Sequence, residues 1–311
     1  MDNNQYRPEG LLISSASNRE YISGIAGLEK AMAQGKILES VVLMCDGDFN
    51  LHVDLGEVHG IILHGEVAYN ADGSRVKDIS AITRVGKAVC FKIQSVGRGE
   101  DGRPVAYLSR REAQKECLEN YLCSLRPGDV IDAKITHLEH FGAFVDVGCG
   151  IASLLSIDCI SVSRISHPKD RFFEGMFIKT VVKSTDCSIG RIYVSHKELL
   201  GTWEENAALF EVGQTVAGIV RSIEEYGIFV ELMPNLAGLA EYRDDVCIGQ
   251  TAAVYIKNII PERMKFKLVL IDSYKGEAAR PPLRYFFGED HMDRFIYSPA
   301  ISQKQIQTVF C

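Results

Sequence analysis

Residues 139–148 read EHFGAFVDVG and residues 224–233 read EEYGIFVELM. Eighty-five residues apart, the chain repeats an aromatic, a glycine, a small or apolar residue, a phenylalanine and a valine. A core strand needs apolar residues, but not two aromatics three positions apart around a glycine, so the motif suggests a displayed surface. The likeness extends outward without a gap. LRPGDVIDAKITHLEHFGAFVDV from Leu125 lies over FEVGQTVAGIVRSIEEYGIFVEL from Phe210. Gly128 then meets Gly213, Ile135 meets Val220, Phe141 meets Tyr226, Gly142 meets Gly227 and Phe144 meets Phe229. Further on, SLLS (Ser153–Ser156) lies over GLAE (Gly238–Glu241). Repeats of this length are domain duplications, since solenoid units run to about 20–50 residues.

Each copy reads as five short strands. In residues 126–198, VIDAKITHL alternates as a strand, EHFG turns tightly into AFVDV, and CG turns into IASLL. The irregular SIDCISVSRISHPKDRFFEG precedes MFIKTVVKS, and STDCSIG closes a hairpin into RIYVSHK. Five strands with one insertion between the third and fourth predict a small closed barrel of the OB type. A degenerate copy precedes these. CDGDFNLHVDLGEVHGII sets Phe49 and His52 in the places of the aromatic pair, and Val53 and Asp54 match Val145 and Asp146. VGKAVCFKIQSV corresponds to its fourth strand and RPVAYLSRR to its fifth.

The predicted fold is therefore mainly β, with three tandem five-stranded OB-fold barrels joined by short helices. The barrels are assigned to 35–112, 126–198 and 210–274. A tail and helix occupy 1–34, with Asn18 expected as the helix cap. SRREAQKECLENYLCSL gives a linker helix (113–125), with Ala113, Cys117, Leu118, Tyr121 and Leu122 on one face. HKELLGTWEENAALF supplies a second linker (199–209). The extension 275–311 opens with linker-like KGEAARPPL. Its RYFFGEDHMDRFIYSP is too aromatic for a free tail and is expected to dock on the third barrel or on a partner.

Composition narrows the function classes. No run of about 18 apolar residues occurs, so no membrane-spanning helix is expected. The opening MDNNQYRPEG lacks the marks of a signal peptide. Nine cysteines, odd in number and never spaced C-x-x-C, predict buried reduced thiols in a cytoplasmic protein rather than disulfides or zinc. The formal charge of −7 argues against a binder that holds duplex nucleic acid through phosphates. Nucleic acid would have to be held largely by stacking on bases.

Phe141, at the end of strand one, and Phe144, outward on strand two, are expected to share one face, with Phe141 the more exposed. An exposed ring stacks on any base for about 1–3 kcal/mol. Gly142 between them leaves space for a ligand or backbone to approach. Lys134 and Thr136 fall on one side of strand one, and Arg221 is the counterpart of Thr136. Arg164, Lys169, Arg171, Lys183 and Arg191 crowd the insertion and the last hairpin, within reach of phosphates. Nine Lys/Arg balance nine Asp/Glu over 126–198, against six and nine over 210–274, which makes the second barrel the better platform. Catalysis is not expected. Asp146 and Glu231 have no second carboxylate partner, His137, His140, His167 and His196 lack ligand spacing, and Asp46-Gly-Asp48 lacks the rest of a calcium loop. No cofactor, metal or small-molecule substrate is implied.

GDVIDAKITHLEHFGAFVDV, SVSRISHP and RIYVSHKELLGTWEENAALFEVGQTVAGIV resemble the repeats and inter-repeat linker of the bacterial ribosomal protein S1 family. The resemblance covers 126–272, and 35–112 more loosely. The run Arg164–Pro168, which includes His167, and Trp203 are the features most particular to that family. The resemblance implies an RNA-binding face made of the aromatic pair, a histidine after the third strand and basic residues on the last. Phe141, Phe144, Arg191, Tyr226 and Phe229 carry over. The histidine does not, because its place is taken by Ser156, by Glu241 and by a residue near Leu63. A glutamate there repels phosphate, and the first barrel, having lost most of the face, is expected to dock protein instead. The implied function is single-stranded RNA or mRNA binding at the small ribosomal subunit. Phe141, Phe144, Tyr226 and Phe229 would stack, Lys134, Arg164, Arg191 and Arg221 would hold phosphates, and His167 belongs to the same candidate face. The alternative is a protein-interaction scaffold or an RNA-regulatory factor outside the ribosome.

Overall fold

In a computed structural model, residues 5–99, 102–274 and 282–310 are described. Three barrels follow one another along the chain. The first joins β1 (Leu38–Cys45), β2 (Leu51–Leu55), β3 (Val58–Ile62), β4 (Ala88–Arg98) and β5 (Pro104–Ser109). The second joins β6 (Val130–Glu139), β7 (Gly142–Asp146), β8 (Ala152–Ser156), β9 (Phe177–Asp186) and β10 (Arg191–Ser195). The third joins β11 (Thr215–Glu224), β12 (Gly227–Met233), β13 (Leu236–Ala240), β14 (Thr251–Ile260) and β15 (Lys265–Tyr274). Each closes in the same order: the first strand pairs with the second and the fourth, and the third runs parallel to the fifth. This is the OB connectivity expected from the repeat.

Alternation explains why these segments close. Along β6, Ile131, Ala133 and Ile135 are buried between partly exposed Asp132, Lys134 and Thr136, so the pleat hides one side and wets the other. The first strand of every barrel carries a bulge at the same place, between Val42 and Met44, Ile135 and His137, and Val220 and Ser222. Such a bulge bends the strand sharply enough for a five-stranded sheet to meet itself. Gly142 starts β7 beneath the Leu155 carbonyl, which occupies the space a Cβ would need. The backbone that the glycine admits is thus the chain's own.

The segments outside the barrels are short. The expected N-terminal helix is two helices, α1 (Ala16–Ile22) and α2 (Ile25–Ala33), broken at Gly24. Ser15 caps α1. Asn18 is instead buried, its side chain bridging the backbone N–H and carbonyl of Glu39. A short helix, α3 (Asp78–Ile82), precedes β4, and α4 (Arg110–Asn120) links the first two barrels. The second linker holds α5 (Trp203–Ala207), opened by a capping box between Thr202 and Glu205. The C-terminal segment forms a small hairpin, β16 (Arg294–Ile296) with β17 (Gln307–Val309). It docks on two barrels rather than one. Val130 N donates to the Asp290 carbonyl and Met292 N to the Gly128 carbonyl, while Phe295, Tyr297 and Phe310 complete the core of the third barrel. Most of the expected linker KGEAARPPL lies outside the described residues.

The cysteine expectation is corrected. Cys123 and Cys187 form a disulfide that ties the end of the first linker to the β9–β10 hairpin. Cysteines 64 residues apart carry no local spacing signal, so only the packing of the linker against the barrel reveals the pair. Cys90, Cys117, Cys149 and Cys159 are free and buried, whereas Cys247 is exposed. Cys311 lies outside the described residues.

Two joints lock neighbouring barrels. In the first, the N-terminal strand of chain lies between barrels one and two, and Glu9 is buried there. Its carboxylate accepts from Arg110 Nε (2.7 Å), Arg110 Nη2 (3.1 Å) and Cys90 N, and its backbone N–H donates to Asp146 Oδ2 (2.7 Å). Glu39 accepts from Gly10, Leu12 and Ile13 N–H groups. In the second, Arg171 reaches from barrel two to Glu231 of barrel three (2.5 Å), and Arg221 also grips Glu231 (2.9 and 3.2 Å). Asn235 adds bonds to Val162 N and to the carbonyls of Lys197 and Gly201.

Burial, aided by the negative charge of Glu9 and opposed by the three N–H donors, raises the Glu39 carboxyl from 4.5 to about 7. A group raised on folding contributes stability that is complete below its unfolded pKa and is lost as pH climbs through its folded one. Stability is therefore expected to fall between about pH 5 and pH 7 by at most about 1.4 kcal/mol per pH unit from this group. Glu39→Gln should flatten that slope in urea midpoints measured across the window, and an unchanged slope would refute the assignment. Gly142→Ala, which forces a methyl against the Leu155 carbonyl, is expected to cost about 1–3 kcal/mol in the same assay.

Candidate functional site

The strand register aligns one residue from each strand into a row around the outside of every barrel. In the second barrel the row is His137, Phe144, Leu154, Tyr193 and Ser184, each opposite the next. In the third it is Ser222, Phe229, Leu239, Lys267 and Asn258. In the first it is Met44, His52, Ile61, Tyr107 and Ser95. The shared bulge makes Phe144, Phe229 and His52 equivalent, because each lies opposite the residue just past it.

The turn aromatics stand beside this row. Phe141 is 55% exposed and packs edge-on against half-buried Phe144 at 6.1 Å. Tyr226 is 70% exposed and meets half-buried Phe229 in the same way, also at 6.1 Å. A half-buried ring held against an exposed one gives two orthogonal aromatic surfaces at little conformational cost. On barrel two the surface continues to Tyr193, which is exposed and two residues along the same side of β10 from Arg191. His140 and His167 stack edge-on at 4.6 Å next to the turn, with His167 Nδ1 accepting from Lys169 N. Arg164 and Arg191 are exposed.

The other predicted cations are engaged elsewhere. Lys134 Nζ donates to the Glu9 carbonyl (2.8 Å) and lies over the Phe177 ring, so it belongs to the first joint. Arg221 is bound to Glu231 and lies 3.5 Å from Asp170. Arg171, expected to meet phosphates, is almost wholly buried on Glu231. Lys134 and Arg221 lie on first strands and Arg171 in the insertion, and all three are spent on joints rather than left in solvent. Lys183 is within 3.4 Å of Cys159 Sγ. Three residues escaped the sequence reading: Tyr193, Lys265 and Lys267. The last two are exposed on β15, where Arg191 and Tyr193 stand on β10. The signal was present in KFKLVL, whose alternation puts both lysines on the outer side.

The first barrel carries the row without the aromatic pair. His52 Nδ1 and His59 Nε2 are 2.8 Å apart, His52 Nε2 is 3.1 Å from Asp46 Oδ2, and the Phe49 ring turns to His64 at 5.6 Å. Backbone and side-chain donors, Asn50 foremost, hold the Asp46 carboxyl down to about 2. Among the described residues no cluster of His, Cys, Asp or Glu has the arrangement to hold a metal ion.

Comparison with known proteins agrees with this architecture. The family model of the S1 RNA binding domain matches residues 124–197, the second barrel with the end of its linker. A small ribosomal subunit protein bS1 homolog of Bacillus cereus is 33% identical over 216 residues, covering 67% of this chain and 51% of its own. The homolog from Bacillus subtilis is 36% identical over 176 residues, covering 55% of this chain and 44% of its own. The chain thus spans about half the length of the curated relatives it matches. Three barrels of one connectivity, the repeated aromatic turn and these matches support an S1-family protein of tandem OB-fold repeats.

Proposed function

We propose that this protein binds single-stranded RNA by stacking bases on the outer face of its second barrel, with the third barrel as a weaker platform. The observation that carries the reading is the Phe141–Phe144 pair continuing through Leu154 to Tyr193 and Arg191. It offers successive bases aromatic surfaces and at least one cation for the backbone. Stacking at about 1–3 kcal/mol per ring reconciles the site with a net charge of −7. Arg164 and Arg191 are the phosphate contacts of this reading, and Tyr226, Phe229, Lys265 and Lys267 serve the third barrel. Lys134 and Arg221 support the face through the joints. The relatives are named small ribosomal subunit proteins, which favours action at that subunit, and mRNA binding there, in the cytoplasm, completes this reading.

A second reading, protein docking, is favoured for the first barrel by a specific observation. Its outer side exposes Leu43, Met44, Leu63 and Tyr107, with Met44 and Tyr107 in the row places that His137 and Tyr193 hold in the second barrel. The two readings are compatible on different barrels.

Fluorescence-anisotropy titration with labelled single-stranded and duplex RNA at two salt concentrations tests the main reading. Preference for the single strand and a shallow decline with salt are expected. Phe141→Ala with Phe144→Ala should remove most single-strand affinity, about 2–6 kcal/mol for two rings, while the urea transition persists. A folded double variant that binds as well as the native chain would refute stacking.

A further inference from the structure

Between the first two barrels lies a cleft of about 800 Å³. One wall is the segment leading into α3, together with α3 itself, the floor is α4, and the other wall is the β9–β10 hairpin with the start of β8. Four cations line it, Lys77, Arg84, Arg110 and Arg191, against a single lining carboxylate, Asp72. Beneath the floor, Glu9 is engaged by Arg110 through two bonds, and Arg84 reaches it only at 3.8 Å. One buried carboxylate therefore faces two guanidinium groups. Asp146, a second buried acid whose carboxyl is pushed up by burial and by Glu9, also lies within electrostatic reach of both guanidinium groups. With these acids beneath the floor, the positive balance of the cleft comes from Lys77 and Arg191 on its walls against Asp72, in a partly enclosed place that strengthens attraction for an anion.

The cleft adjoins the aromatic row. Ala152 and Arg191 line it, and each lies two residues along the same outer side from a row member, Leu154 on β8 and Tyr193 on β10. Two residues of strand span roughly 7 Å, about one nucleotide step. The disulfide at Cys187 fastens the hairpin that carries Ile189 and Arg191 at the rim. We infer that this cleft takes the phosphodiester backbone of the RNA strand as it leaves the aromatic face, so that a single track runs from barrel two onto barrel one. The inference rests on the single-strand RNA reading. It gives the degenerate barrel a part in binding that its own face lacks.

Single-stranded oligouridylates of about 5 and about 15 nucleotides separate the two parts, since OB-fold sites take about 4–16 nucleotides. The native chain should bind the longer strand more tightly and with a steeper salt slope. Lys77→Glu, at an exposed position on the cleft wall, is expected to weaken the longer strand several-fold and to lower its log–log salt slope by about 0.7 for each phosphate no longer held. The short strand should bind as before. Arg84→Gln should act the same way, with its urea midpoint measured to verify the joint. Unchanged affinity and slope for the longer strand in both variants, with the short strand still bound, would overturn the cleft alone. Failure of the native chain to bind either strand would overturn the RNA reading and this inference with it.

Discussion

Two buried carboxylates at equivalent places in the repeat, Asp146 and Glu231, organise the molecule. Each lies two residues beyond the phenylalanine of its barrel's second strand, on the same outer side, and each is only 2% exposed. A charge removed from water costs several kcal/mol unless donors replace its hydration. Asp146 obtains them from Glu9 N and from Gly148 and Gly150 N; Glu231 obtains them from Arg171 and Arg221. In both cases one donor comes from outside the barrel. The requirement to satisfy a buried acid therefore fixes each barrel against its predecessor in the chain. In the first barrel the matching Asp54 is exposed, and its carboxylate accepts from Gly56 N, a donor of its own turn.

This arrangement divides the outer side of one strand between two tasks. Along β7, Phe144 and Asp146 lie on the same side because side chains alternate with a period of two. One end displays a ring and the other disappears into a joint. The candidate site thus begins where the joint stops, and the cleft between barrels one and two opens at that boundary. The basic residues of barrel two are sorted by the same boundary: Lys134 on β6 and Arg171 in the insertion become structural, while Arg164 and Arg191 stay in water.

One backbone frame carries three chemistries. The row of five outward positions is aromatic and polar in barrel two, aromatic and basic in barrel three, and thioether, imidazole and phenol in barrel one. Shared connectivity therefore says little about which barrel binds what; the side chains in the row decide it. The acidic Glu241 beside the third barrel's row and the lysines on β15 pull in opposite directions, which is consistent with a subordinate platform.

Much of this was legible in the chain itself. The 85-residue repeat, the alternation along VIDAKITHL and the glycine turns determined three closed barrels and brought Phe141 near Phe144 and Tyr226 near Phe229, because strand pleat and tight turns are local properties. Tertiary structure alone decided what the exposed-looking polar groups do. Arg171 and Arg221 close on Glu231, Lys134 caps the Glu9 carbonyl, Asn18 bridges Glu39, and Cys123 finds Cys187. Each depends on a partner brought from another part of the fold. The preference of a charge for water or for a buried counter-charge is set by that partner's position, which no periodicity encodes.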